Sequence, residues 1–157
     1  MPTSNIEFEI EFGESDAAGI VFYPNYFRWF DRATHHFLET IGWPHPVLLE
    51  DFHYAQPVID CGCTFIRPLR YGDTVRIETT IKEVSETTFK AEHHVFHNKE
   101  LVGSGFETRV WVKTNEAGND GHLKVVPIPA VIAEKFKEKP GRETLEQSFL
   151  VQLIGRD

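Results

Sequence analysis

Residues 24–42, P-N-Y-F-R-W-F-D-R-A-T-H-H-F-L-E-T-I-G, constrain this chain more than any other stretch. Pro24 stands where a first helical turn tolerates a missing N–H, and Gly42 where a helix stops. Between them Tyr26, Phe30, Ala33, Phe37 and Ile41 recur at steps of three and four. Phe27, Trp29 and Leu38 widen the apolar arc to about half the helix. Arg28, Arg32, His35, His36 and Glu39 fall on the other side, where solvent or an interface is expected. A helix of about 18 residues is roughly 27 Å long. With so many aromatic side chains it has to be buried against a large sheet.

The sheet is written around it. Ile6, Phe8, Ile10 and Phe12 alternate with Glu7, Glu9 and Glu11, which predicts a half-buried strand over residues 6–12. Gly13-Glu14-Ser15-Asp16 breaks the period as a turn, and Ala17-Ala18-Gly19 is small enough for backbone or ligand to come close. Beyond the helix, Pro44-His45-Pro46 is a break and residues 47–52 a short helix. Residues 55–113 read as strands. Cys61, Cys63 and Phe65 alternate. Residues 67–73 form a turn-rich interruption. Val75, Ile77, Thr79 and Ile81 alternate against Arg76, Glu78, Thr80 and Lys82, and Phe89, Ala91, His93, Val95 and His97 follow. Residues 98–100 suit a hairpin turn. Residues 101–113 form one long strand with Phe106, Thr108, Val110 and Val112 on one face, Gly103 and Gly105 marking a bulge or a close contact. A loop over residues 114–122, a short strand over 123–126 and a short helix over 129–138 complete the core. One strand, one long helix and a run of antiparallel strands predict an α+β layer with the sheet curled around the helix. The expected organisation is one domain over residues 1–157, its core at about 6–138 and a C-terminal extension at 139–157.

Composition narrows the function classes. The formal charge is −8, and no basic stripe of the kind nucleic-acid binders use is present. No apolar run approaches the ~18 residues of a membrane span, and the first residues lack the pattern of a secretory signal. The two cysteines, Cys61 and Cys63, are too few and too close for a disulfide framework, so a reducing cytoplasm is expected. They are read as buried and inert. Eight histidines form neither an H-E-x-x-H motif nor a Cys/His quartet, so no metal is expected.

The stretch F-G-E-S-D-A-A-G-I-V-F-Y-P-N-Y-F-R-W-F-D, residues 12–31, closely resembles the signature of the 4-hydroxybenzoyl-CoA thioesterase family, the hotdog-fold acyl-CoA thioesterases. The resemblance continues through P-V-I-D-C-G-C-T-F and G-D-T-V-R-I-E-T-T-I-K-E and covers roughly residues 6 to 130. It implies a hotdog fold, a long helix cradled by a curved antiparallel sheet. It also implies a homo-oligomer, a dimer or a homotetramer, with active sites at subunit interfaces, and hydrolysis of acyl-CoA without metal or cofactor. The family's catalytic aspartate falls on Asp16. Its oxyanion-binding N–H, at the start of the long helix, falls on Tyr23.

The chemistry suits those positions. Helix-start N–H groups lack intrahelical acceptors and sit at the positive end of the macrodipole, a preformed place for a developing oxyanion. A carboxylate attacks the thioester directly or acts as general base on water, and the thiolate leaves without strong acid help. An aspartate in a glycine-rich turn also has a plainer use, capping backbone N–H groups. Glu14 is a rival two residues away. Asp31 is an intrinsically poor mid-helix residue, which points to a buried partner or to the substrate pocket. Gln56 precedes the strand where the resemblance places the acyl pocket. Arg67, Arg70, Lys113 and Lys124 are candidates for the CoA phosphates. The expected substrate is an aromatic acyl-CoA such as 4-hydroxybenzoyl- or benzoyl-CoA. An aliphatic acyl-CoA or acyl carrier protein is the alternative, and a non-catalytic acyl-binding module the alternative of another class.

Overall fold

The computed structural model describes residues 2–114 and 122–138. The extension at 139–157 and most of the loop at 114–122 lie outside the described residues. Strand β1 (Thr3–Glu9) leads through a single 3-10 turn (Phe12–Glu14) to α1 (Pro24–Thr40). A π-type turn (Val47–Asp51) follows, then β2 (Tyr54–Ala55), β3 (Val58–Phe65), β4 (Thr74–Lys82), β5 (Thr88–His97), β6 (Glu100–Val110), β7 (Val112–Lys113), β8 (Lys124–Val125) and α2 (Ala130–Lys137). A five-stranded sheet has the order β1-β4-β5-β6-β3, with antiparallel pairing throughout. A second, three-stranded sheet has the order β2-β7-β8. The long helix lies on the larger sheet, which is the hotdog arrangement. No helix among the described residues is long and apolar enough to cross a membrane.

The core falls into two apolar halves along α1. Tyr26, Trp29, Phe30 and Ala33 pack with Ile6, Val75, Ile77 and Val95 in one. Phe37 and Leu38 pack with Ile81, Phe89, Ala91, Trp111, Ile132 and Phe136 in the other. Between the halves runs a polar belt: Thr34 of α1, Thr79 of β4, His93 of β5 and Glu107 of β6, each no more than 3% exposed. Each is bonded within the belt. His93 Nδ1 meets Thr79 Oγ1 at 2.8 Å, His93 Nε2 meets Glu107 Oε1 at 3.2 Å, and the Thr34 hydroxyl donates to Glu107. The His93 ring also stacks on Phe30, 4.7 Å between centroids.

Three expectations need correction. The first strand stops at Glu9, and Phe12 sits in the 3-10 turn, 77% exposed against Tyr71. Alternation persists in the sequence there, but the Ile10 N–H already bonds the turn at Asp73 (2.9 Å), so the ladder has ended. Second, Cys61 is exposed and Cys63 half-buried, because β3 is an edge strand. Third, the long final strand is broken at Trp111 into β6 and β7. The buried face of β6 carries Gly103, Gly105, Glu107 and Arg109, opposite to Phe106, Thr108 and Val110. The glycines explain the choice: a Cβ on Gly105 would collide with the Phe30 ring. The helix therefore settles onto the glycine face.

Candidate active site

The turn between β1 and α1 is held by Glu14. Its Oε1 accepts from the Glu11 N–H at 2.9 Å and its Oε2 from the Trp29 indole at 2.6 Å. Its carbonyl accepts from the Phe22 N–H (2.8 Å) and from the Asn25 amide (2.9 Å). Both carboxylate oxygens of Glu14 are therefore engaged in fixing the turn to the first part of α1. Asp16 follows, exposed. Its N–H bonds the Ile20 carbonyl (2.8 Å), its carbonyl takes the Gly19 N–H (3.0 Å), and its Oδ1 takes the Ala18 N–H (2.8 Å). Gly19 closes this turn at φ +79, a value that favours glycine. The capping use of Asp16 is thus real, and it leaves the carboxylate fixed at one oxygen on the solvent side.

At the helix start, the N–H groups of Val21, Phe22, Asn25 and Tyr26 all find carbonyl acceptors, and Pro24 has no N–H. No described residue accepts from the Tyr23 N–H. Tyr23 lines a hollow of about 280 Å³ together with Ile20, Tyr26, Phe65 and Ile66, with Arg67 beside them. The wall is aromatic: Phe65 meets Tyr26 edge to face at 4.8 Å and Tyr23 at 6.4 Å. Burial, helped by the nearby Cys63, pushes the Tyr26 phenol up to about 12, and burial pushes the Cys63 thiol up to about 11. Both stay protonated at neutral pH, so neither is a ready nucleophile.

A second group of functional candidates gathers on the mid-helix side. Arg109, with a 4% exposed side chain, donates from Nη2 to Asp31 Oδ1 (2.8 Å) and Glu107 Oε2 (2.7 Å). From Nη1 it donates to the Gln56 carbonyl (2.9 Å). His35 Nε2 lies 3.3 Å from Asp31 Oδ1 and its ring 4.4 Å from that of His45. The hydrogen bond from His35 and then the Arg109 guanidinium hold the Asp31 carboxyl well below the usual carboxylate range. Burial pushes His45 down, toward the neutral ring. His35, expected at solvent or an interface, is half-buried in the single chain, against Asp31. Gln56 is 3% exposed, and neither atom of its amide has a partner among the described residues, nor do Nδ1 of His35 and of His45.

The structure thus brings Tyr23 and Arg67 to one hollow, with Asp16 on the turn just before it, and brings Asp31 and Gln56 together through Arg109. It does not bring all the candidate cations together. Arg67 pairs with Glu100 at 3.4 Å, Arg70 is exposed in the turn closed by Asp73, and Lys124 lies opposite Lys113 on the small sheet. Glu107 and Arg109 escaped sequence reading because they alternate with Phe106 and Val110, which lie on the opposite face of β6, whereas His93 falls in the inward set of β5 with Phe89, Ala91 and Val95. The one available signal for Glu107 and Arg109 was the pair of glycines at Gly103 and Gly105, in register with them on the same face. Among the described residues no group of three or more His, Cys, Asp or Glu is arranged to hold a metal.

Comparison with known proteins comes to the same place. Residues 10–136 match the thioesterase-like superfamily. The chain is 35% identical over 129 residues to a 4-hydroxybenzoyl-CoA thioesterase of Pseudomonas sp. strain CBS-3, covering 77% of this chain and 88% of that one. It is 31% identical over 102 residues to a 1,4-dihydroxy-2-naphthoyl-CoA hydrolase of Prochlorococcus marinus strain NATL2A, covering 60% of this chain and 66% of that one. Among solved structures it is similar to a gentisyl-coenzyme A thioesterase, with 38% identity, a TM-score of 0.75, and 85% and 99% of the two chains covered.

Proposed function

The chain belongs to the thioesterase-like superfamily and is an acyl-CoA thioester hydrolase, and from that premise we propose that it cleaves an aromatic acyl-CoA, of the 4-hydroxybenzoyl or benzoyl type, to the free acid and CoA. The observation that carries the reading is the unpaired Tyr23 N–H at the start of α1, beside an aromatic hollow and next to the turn of Asp16. In this reading the thioester carbonyl oxygen points at that N–H and at the positive end of the helix. Asp16, held at Oδ1, turns its other oxygen to the carbonyl carbon or to a water there. As general base it takes a proton while the water oxygen bonds to carbon. As nucleophile it forms a mixed anhydride that water then opens. Either way the C–S bond breaks and the thiolate leaves with the electron pair.

Asp31 and Gln56 take the acyl end in this proposal, supported by the unpartnered Gln56 amide and the anionic Asp31. Arg67, Arg70 and Lys124 are proposed for the CoA phosphates, and the exposed position of each fits a flexible anionic ligand. A homo-oligomer with sites at the interface is part of the same reading. It is supported by the edge position of β3 and the exposure of Ile59, Phe65 and Ile66, 58%, 48% and 48%. The three relatives differ in acyl group but share an aromatic ring with a hydroxyl, which favours an aromatic over an aliphatic substrate. Thiol release from a panel of aromatic and aliphatic acyl-CoAs tests the proposal. Turnover of an aromatic member, with a loss of about 10²-fold or more in Asp16→Asn, is expected. Wild-type turnover in that variant would sink the assignment of Asp16, and preference for aliphatic members would sink the aromatic one.

A further inference from the structure

Arg109 is the hub of the buried charges. Its guanidinium reaches three parts of the fold at once: Glu107 on its own strand, Asp31 on α1 and the Gln56 carbonyl before β3. Those partners are 2, 78 and 53 residues away. Glu107 in turn is fixed by the Thr34 hydroxyl and His93. Glu107 and Arg109 each have side chains only 4% exposed, whereas that of Asp31 is 55% exposed. A buried ion pair of this kind is a weak source of stability, because desolvation offsets the Coulomb gain. In other proteins apolar residues of similar volume often replace such a pair at little loss. What the pair does provide is geometry: a rigid planar fork with fixed donor directions.

We propose that Arg109, oriented by Glu107, is a positioning residue of the acyl site, pinning the Asp31 carboxylate and the Gln56 backbone at a set separation so that they read a hydroxyl on the acyl ring. This rests on the acyl-site reading of Asp31 and Gln56 above. The two known contacts to Asp31 from Arg109 and His35 both fall on Oδ1. The carboxylate is thereby fixed in rotation, and an ionised carboxylate only accepts, so it selects a ligand group that donates.

The test is the ratio of kcat/KM for 4-hydroxybenzoyl-CoA to that for benzoyl-CoA, two esters that differ by one hydroxyl. It is measured in the full chain, in Asp31→Asn, in Glu107→Gln/Arg109→Met and in Arg109→Lys. The double variant removes both buried charges while Gln keeps an acceptor for Thr34 and His93. Arg109→Lys keeps the cation and the balance of charge should the double variant not fold. The native ratio is expected to be well above one and to fall about tenfold in Asp31→Asn and in the double variant, carried by KM for the hydroxylated ester. Arg109→Lys is expected to fall between, since a single ammonium replaces the fork. Native ratio in Asp31→Asn removes the reading on which the proposal rests, and the proposal with it. Loss in Asp31→Asn beside a native ratio in the folded Arg109 variants overturns the role of Arg109 alone. A native ratio near one, or no turnover of either ester, overturns both.

Discussion

Glu14 shows how much one side chain decides here. It was a rival to Asp16 as long as only carboxylates in a turn were visible. With both oxygens accepting from fixed donors, it is the residue that holds the Asp16 turn against α1. Glu14→Gln cannot replace it, because an amide has one acceptor and two donors are waiting, Glu11 N–H and the Trp29 indole. Trp29→Phe removes the second donor and, with it, part of the buried indole packed against Phe8 and Tyr26. Both variants are expected to lose about 1.5–3 kcal/mol of stability, the worth of a hydrogen bond to a charged group, and about tenfold in kcat. Thermal melts and thiol release measure the two effects, and unchanged kcat in a variant with a lowered melting temperature would break the link to the turn. The buried belt makes a second prediction at this scale. Burial holds His93 below its ordinary 6.5, so the ring is neutral in the fold and charges more readily when unfolded. That stability is present above pH 6.5 and is lost as pH falls below it. Burial acts to raise Glu107, but His93, Arg109 and Thr34 together hold its carboxyl below its ordinary 4.5. Its contribution is present above pH 4.5 and disappears on further acidification. Both signs agree, so stability in urea melts should decline continuously from about pH 6.5 downward, and His93→Gln should flatten the first part of that decline.

At the scale of elements, β6 is the instructive case. Gly105 lets Phe30 lie against the strand backbone, where any Cβ would collide with its ring. Gly105→Ala is expected to cost about 1–3 kcal/mol, as overpacked cores do, visible as a lower melting temperature with little change of secondary structure. The central helix was legible because eighteen residues of three-and-four periodicity leave one consistent apolar arc, and the described helix, Pro24–Thr40, ends within two residues of that expectation. β4 and β5 were legible for the same reason at period two: Val75, Ile77, Ile81, Phe89, Ala91 and Val95 all point inward. β6 hid its role because its inward residues are two glycines and an ion pair, a pattern indistinguishable in sequence from a solvent face. The edge position of Cys61 was hidden as well, since strand order is set by pairings between residues more than forty apart, such as Cys61 with Glu107. The helix start at Pro24 was legible through its proline and the periodicity that follows it. The Arg109 hub was not, because its three partners come together only in the folded chain.

For the molecule as a whole, the edge of β3 is the test of assembly. Ile59 is 58% exposed at a break in the β3–β6 register, and a lysine there would place a charge on the one long edge that carries exposed apolar residues. A dimer or larger species is expected by light scattering, and Ile59→Lys is expected to weaken it and to lower thiol release in parallel. A dissociated variant with native turnover would separate the site from the interface. The belt of Thr34, Thr79, His93 and Glu107 has one more consequence. The two apolar halves share α1, β4 and β5 but meet across these buried polar groups, so amide hydrogens around Tyr26 and around Phe37 are expected to exchange with solvent at different rates, which hydrogen exchange measures.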